Sequence, residues 1–433
     1  MSEPLTDRLR RIARPLVAEP DLDPLIDRIG DARIVMLGEA SHGTSEYYTW
    51  RQRISQRLIT ERGFSFIAVE GDWPDCYRVN RYVRQLAGPA DAYDVLHAFA
   101  RWPTWLWANE EVVSLVRWLY EHNRTRPEES RVGFYGLDVY SLWDSMHAVL
   151  EYLERIDPDA AAVARRAYGC FDPYHDDAQQ YAMATALVPT SCEDEAVAML
   201  RELRRRAPEY REDDAEAYFN AEQNALIARN AELYYRTMVR GGPDSWNIRD
   251  QHMAETLGRL LERYGPDAKG IVWEHNTHIG DARATDMAAA GMTNIGQIAR
   301  EQWGTRDVVL VGFSGFEGSV IAATSWGAPM EEMPVPPAVH DSWEALVHQS
   351  VGDDVLILTH ELDGARDADR PRGQRAIGVV YHPYRERFGN YVPTLLPARY
   401  DALIHLERTS ALRPLHMPAR LDGEVPETYP TGQ

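Results

Sequence analysis

Short apolar runs recur along the chain at 33–37, 64–69, 131–135, 270–273, 308–312, 319–323, 353–358, 375–380 and 402–406, and each predicts a β-strand. The first four are near-continuous in apolar residues rather than alternating. That is the pattern of strands covered on both faces, hence of a parallel or mixed sheet. Between them, 44–61, 75–87, 109–122 and 141–155 carry apolar positions at helical spacing. The fold class is α/β, a central parallel or mixed sheet flanked by helices. From 141 to 264 no strand is read and charged helical sequence dominates, as in EAVAMLRELRRR at 195–206. This predicts a helical insertion between core strands three and four. Four stretches result: a first part of the α/β core at 1–140, the insertion at 141–265 as lid or substrate wall, a second part of the core at 266–410, and an extended proline-rich tail at 411–433.

Composition narrows the function classes. A chain of 433 residues with 44% hydrophobic content can bury a large core, and 46 Lys+Arg against 67 Asp+Glu give a net charge of -21. Such a charge opposes binding to nucleic acid and to anionic membrane surfaces. With no 18-residue apolar run and no secretory leader at the start, the expectation is a cytoplasmic protein without a membrane or nucleic-acid partner. Cys76, Cys170 and Cys192 are far apart and not in CxxC spacing, so neither a disulfide framework nor a thiolate zinc site is expected. The single lysine, Lys269, lies in a turn-like stretch, and there is no P-loop, GxGxxG, HExxH or serine elbow.

The remaining chemistry gathers at strand ends, where ligands bind in open parallel sheets. The first strand runs into GEASHGTSEYYTWR at 38–51, with Glu39, His42 and Arg51; the second ends in Glu70 and Asp72; the fourth ends in Glu274, His275 and His278. The third ends more quietly, in Asp138. On a helix starting near Thr44, residues Tyr47, Arg51, Ile54 and Leu58 share one stripe, so Arg51 needs a partner such as Glu39 or Glu70. Glu46 is explained by the helix dipole alone. Neutral histidine takes a proton from water near neutral pH, a carboxylate fixes its tautomer, and a second histidine with an arginine stabilises an oxyanion. Water activated in this way is the economical hydrolytic mechanism. The same residues also suit zinc or manganese through His275 and His278 with Glu39, His42 or Glu70, or a ligand site without turnover. RWPTWLW at 101–107 and the stretch from Trp246 to Asp250 offer pocket walls, with Arg101, Trp102, Trp105, Arg249 and Asp250 as substrate-binding candidates.

Together, GEASHGTSEYYTWR, VEGDWPD at 69–75, RWPTWLWANEEV at 101–112, NIRDQHMAE at 247–255 and WEHNTHIGD at 273–281 resemble the erythromycin esterase family. VGFSGFEGSVIAATSWG at 311–327 and the segment 381–415 extend the likeness over nearly the whole chain, in order. The resemblance implies an α/β sheet with a helical insertion and a carboxylic ester hydrolase acting on a small-molecule ester, in some members a macrolide lactone whose opening confers antibiotic resistance. It implies His42 as base, Glu39, Arg51 and Glu70 around it, His275 and His278 facing it, and no required metal or other cofactor. The first motif resembles the family's general branch rather than its resistance enzymes. Alternatives within the same cluster are a metal-dependent hydrolase of an amide or phosphoester and a non-catalytic binding protein.

Overall fold

In the computed structural model, residues 3–88, 90–174, 178–187 and 191–415 are described. Eleven strands form among them: β1 (Arg14–Pro15), β2 (Ile34–Leu37), β3 (Phe66–Asp72), β4 (Gly133–Asp138), β5 (Gly270–Trp273), β6 (Val308–Ala323), β7 (Met330–Val335), β8 (Val355–Leu358), β9 (Arg372–Arg375), β10 (Tyr391–Thr394) and β11 (Ala402–Thr409). Nine of them build one sheet in the order β1-β8-β11-β6-β2-β5-β3-β4, with β7 antiparallel on the far half of β6. The six strands from β11 to β4 are mutually parallel, while β8 runs antiparallel to β11 and β1 to β8. The sheet is therefore mixed and mostly parallel, as its near-continuous apolar runs predict.

Alternate residues of these strands enter two separate cores. Ile34, Met36, Phe66, Ala68 and Val272 pack on one face, and Val35, Leu37, Ile67, Val69 and Trp273 on the other. Each such side chain, withdrawn fully from water, contributes about 1.5–3 kcal/mol, so neither face tolerates a polar stripe. Helices over Ser45–Arg62, Trp73–Val83, Glu110–Asn123 and Leu142–Ile156 stand where the helical spacing predicts them. Tyr47, Arg51, Ile54 and Leu58 are all buried on the first of these. Between β4 and β5 the described residues form helices and no strand. Residues from Val139 to Tyr235 share a core of their own, whereas Met253, Leu257 and Leu260 of the helix Asp244–Tyr264 pack onto the sheet.

Several expectations need correction. The runs at 308–312 and 319–323 belong to one strand, β6, because the polar and glycine positions between them stay paired to β11 through Thr409↔Gly318. The run at 375–380 is not a sheet strand. Its start lies in β9, paired to β10 in a separate two-stranded sheet, and Ile377 and Val380 make only isolated bridges to Ser41 and Ala323. That segment crosses the end of the sheet instead of entering it. Trp246, Arg249 and Asp250 do not precede a helix but lie in the first turns of Asp244–Tyr264. Cys170 and Cys192 form a disulfide, with their Cα atoms 5.8 Å apart, and Cys76 alone is free. The helices Pro158–Tyr168 and Glu193–Arg205 pack together and bring the two cysteines into range, a tertiary effect invisible in their 22-residue separation. The pairing corrects the expectation that the cysteines stay unpaired. Most of the 411–433 tail lies outside the described residues; Ala411 and Pro414 bridge to Thr44 and Asn109. Among the described residues no helix is long and apolar enough to cross a membrane.

Candidate active site

Register explains why distant segments meet. Leu37, Trp273, Val69 and Gly136 lie side by side across β2, β5, β3 and β4, so the residues that follow them emerge together at one edge. β5 inserts between β2 and β3, which places the loop carrying His275 directly between those carrying His42 and Glu70. The turn after His42 presses against β6, and a Cβ on Gly43 would lie 1.9 Å from the Ile321 carbonyl oxygen, so only glycine fits there.

Glu39 is the hub of the first loop. One carboxylate oxygen lies 2.8 Å from His42 Nδ1, and the other accepts a 2.6 Å bond from Arg51 Nη2. Arg51 is wholly buried, its guanidinium over the Tyr48 and Trp273 rings at 4.3 and 4.7 Å. It touches no cleft surface and acts as a positioning residue for Glu39, the first of the two partners read from the sequence. With Nδ1 committed to a carboxylate, His42 carries its proton on Nδ1 and leaves Nε2 as a lone pair. That Nε2 lies 4.0 Å from Glu70 Oε1. Burial lowers the His42 pKa, but the Glu70 and Glu39 carboxylates outweigh it and hold the imidazole above its ordinary 6.5.

Glu70, at the end of β3, accepts the His275 backbone N–H at 2.8 Å on Oε2 and Arg249 Nη2 at 2.8 Å on Oε1. Burial pushes this carboxyl up, yet His278, His42 and Arg249 with the backbone donor bring it well below the usual carboxylate range. Arg249 also clamps Asp138 through Nε at 3.0 Å and Nη2 at 2.7 Å, and its Nη1 lies 2.9 Å from His278 Nε2. A guanidinium only donates, so His278 Nε2 accepts and its proton sits on Nδ1, which points at both Asp250 oxygens at 3.0 Å. His278 stacks flat on Trp246 at 4.4 Å. Its Nε2 faces Arg249 and its Nδ1 faces Asp250, so both ring nitrogens are taken up within the protein.

His275 has the opposite tautomer. The Thr277 N–H donates to its Nδ1 at 3.3 Å and the Thr277 hydroxyl lies 2.8 Å from the same atom, so the ring proton is on Nε2, which is buried. Burial, with His42 4.9 Å away ring to ring, drives its pKa well below 6.5 and keeps it neutral. Among the described residues, no group of three or more His, Cys, Asp or Glu side chains is arranged to hold a metal ion.

His42, Glu70, Asp138, Arg249, His275 and His278 line a cleft of about 140 Å³ together with the apolar Phe99, Trp102, Trp107, Trp326 and Val379. Of the substrate-binding candidates, Arg101, Trp102 and Arg249 reach it. Trp105 is wholly buried behind Trp102, edge-on at 5.5 Å, and Asp250 is wholly buried behind His278; neither faces the cleft. Sequence reading missed Asp138 and Asp72 as members of the cluster, though both stand at strand ends like Glu70. Asp72 binds Arg101 at 2.9 Å; burial, with Asp138 and Asp75 nearby, pushes its pKa up to about 7.

Glu274 lies beneath the cluster, wholly buried, and neither carboxyl oxygen has a hydrogen-bond partner. Burial, with Glu70 and Asp250 close, holds its pKa well above the ordinary value. An acid whose folded pKa exceeds its unfolded one stabilises fully below the unfolded value and loses that contribution as pH rises through the folded one. Thermal unfolding of Glu274→Gln should therefore match wild type near pH 4.5 and exceed it increasingly as pH rises. A variant less stable than wild type at pH 8 would show Glu274 to be ionised and paired.

The model for the family described as Erythromycin esterase matches residues 59–409. The chain is 21% identical over 422 residues to the putative hydrolase YbfO of Bacillus subtilis (strain 168), covering 92% of this chain and 90% of that protein. It is 26% identical over 152 residues to erythromycin esterase type II of Escherichia coli, 34% of each chain. Among solved structures, it resembles a succinoglycan biosynthesis protein (TM-score 0.78, 23% identity, 94% of this chain and 97% of that one). It also resembles a mutant of the erythromycin esterase EreC in its open conformation (TM-score 0.66, 17% identity, 94% and 97%). These two likenesses establish the fold.

Proposed function

The chain belongs to the erythromycin esterase family, and from that premise we propose that it hydrolyses a carboxylic ester with water activated by His42. One observation carries this reading: His42 Nε2 and Glu70 Oε1 are 4.0 Å apart. Both are acceptors when His42 is neutral, so they do not bond each other, and one water with two hydrogens bridges such a gap. The water gives one proton to His42 Nε2 while its oxygen forms a bond to the ester carbonyl carbon. The carbonyl electron pair moves to oxygen, where the remaining Nη1–H of Arg249 stabilises it. Collapse breaks the bond to the alcohol oxygen, which takes the proton from His42. The products are an acid and an alcohol, and Glu39 holds the imidazolium throughout.

No metal is required in this scheme. Of the two histidines that suggested one, His278 is engaged at both nitrogens, by Arg249 and Asp250. Dialysis against EDTA should leave hydrolysis of p-nitrophenyl acetate unchanged; activity lost to EDTA and restored by one metal would overturn this part.

The pH dependence tests the base. His42 must be neutral to act, and its pKa is raised, so kcat/KM should climb with pH on a limb above 6.5. Glu39→Gln removes one carboxylate that raises it; the limb should move to lower pH and the plateau fall by roughly 10²-fold. A limb that stays in place would exclude His42 as the titrating base.

A further inference from the structure

The family carries macrocyclic lactones in its name, but the cleft here has the size of something smaller. Its volume is about 140 Å³, whereas an apolar protein cavity of about 150 Å³ holds one benzene molecule and drug-sized ligands occupy about 300–1,000 Å³. The walls are fixed rather than pliable. Trp107 Nε1 donates to the Glu70 carbonyl at 3.0 Å, Trp102 Nε1 donates to the Ala328 carbonyl at 3.0 Å, and Trp102 meets Trp326 at 4.5 Å, tilted by 56°. Trp105 backs Trp102 edge-on. Because Trp107 is tied to the backbone of Glu70 itself, the aromatic wall begins next to the water-binding gap.

Charge narrows the ligand further. Each acidic group of the cleft touches an arginine: Glu70 and Asp138 share Arg249, Asp72 binds Arg101 and Asp75 binds Arg78. An anionic ligand would compete for arginines already bound to carboxylates, and a cationic one for carboxylates already bound to arginines. A neutral molecule disturbs neither.

We propose that the substrate is a neutral carboxylic ester bearing a single planar ring of phenyl size, seated against Trp102, Trp107 and Trp326. The ester part rests on the function proposed above; the ring site does not, and binding tests it without turnover. In calorimetric titrations of the full chain, acetanilide should bind at least about tenfold more tightly than N-butylacetamide, which has no ring. Trp102→Ala and Trp326→Ala should each weaken acetanilide by about tenfold and leave N-butylacetamide within about twofold. Erythromycin should neither bind saturably nor give a hydrolysed product by mass spectrometry. Equal affinities for acetanilide and N-butylacetamide, or erythromycin bound or hydrolysed as readily as phenyl acetate, would overturn the proposal. Selective acetanilide binding without hydrolysis of phenyl acetate would instead overturn the hydrolase reading and leave the ring site standing.

Discussion

Replacing Arg249 by methionine is expected to cost about 3–5 kcal/mol of stability, because it leaves buried carboxylates with no compensating charge. Arg249 is 5% exposed, and its guanidinium contacts Asp138, Glu70 and His278 at once, from three separate segments. Its loss also frees the His278 lone pair and lets Glu70 swing from the gap it shares with His42. Urea unfolding should show the destabilisation. Arg249→Lys should recover part of the stability but little activity, since an ammonium is a point charge and does not span a bidentate Asp138 contact and His278 together. Adding Asp138→Asn to Arg249→Met should relieve part of the cost, the coupling expected of two groups in direct contact. A near-wild-type unfolding midpoint for Arg249→Met would mean that the carboxylates are protonated and the clamp is not electrostatic.

Arg249 also marks where the sequence stopped being readable. Its motif stood out, and so did its neighbour Asp250, but adjacent helical residues point about 100° apart. Asp250 meets His278 at Nδ1 and stays off the cleft, whereas Arg249 meets it at Nε2 and lines the cleft. The strand ends with Glu39, His42, Glu70, His275 and His278 were legible because near-continuous apolar runs imply parallel strands, and parallel strands put such ends at one edge. The order in which strands lie was not legible. Nothing local in residues 270–273 says that they insert between two strands formed some 200 positions earlier. Asp138 was passed over for that reason: its role appears only once β4 stands beside β3. The three tryptophans of 101–107 lie in an irregular segment without strand or helix period, so the sequence offered no rule for telling the buried Trp105 from Trp107 on the wall. The disulfide depended likewise on the packing of two helices.

The second large effect falls on chemistry alone. His42→Ala should lose about 10²–10⁴ in kcat/KM, the usual contribution of a positioned general base. Its fold should be kept, because Glu39 still holds Arg51 and Glu70 still holds Arg249 and the His275 backbone. A small ester such as p-nitrophenyl acetate suffices, since the loss concerns water activation rather than substrate fit.

The central claim, direct attack by water that His42 activates, is tested most directly by the pre-steady-state release of p-nitrophenolate from p-nitrophenyl acetate. Wild-type protein should release it linearly from the first turnover, and His42→Ala should reduce the slope by about 10²-fold or more. A burst equal to the enzyme concentration, or a slope unchanged by His42→Ala, would contradict the account.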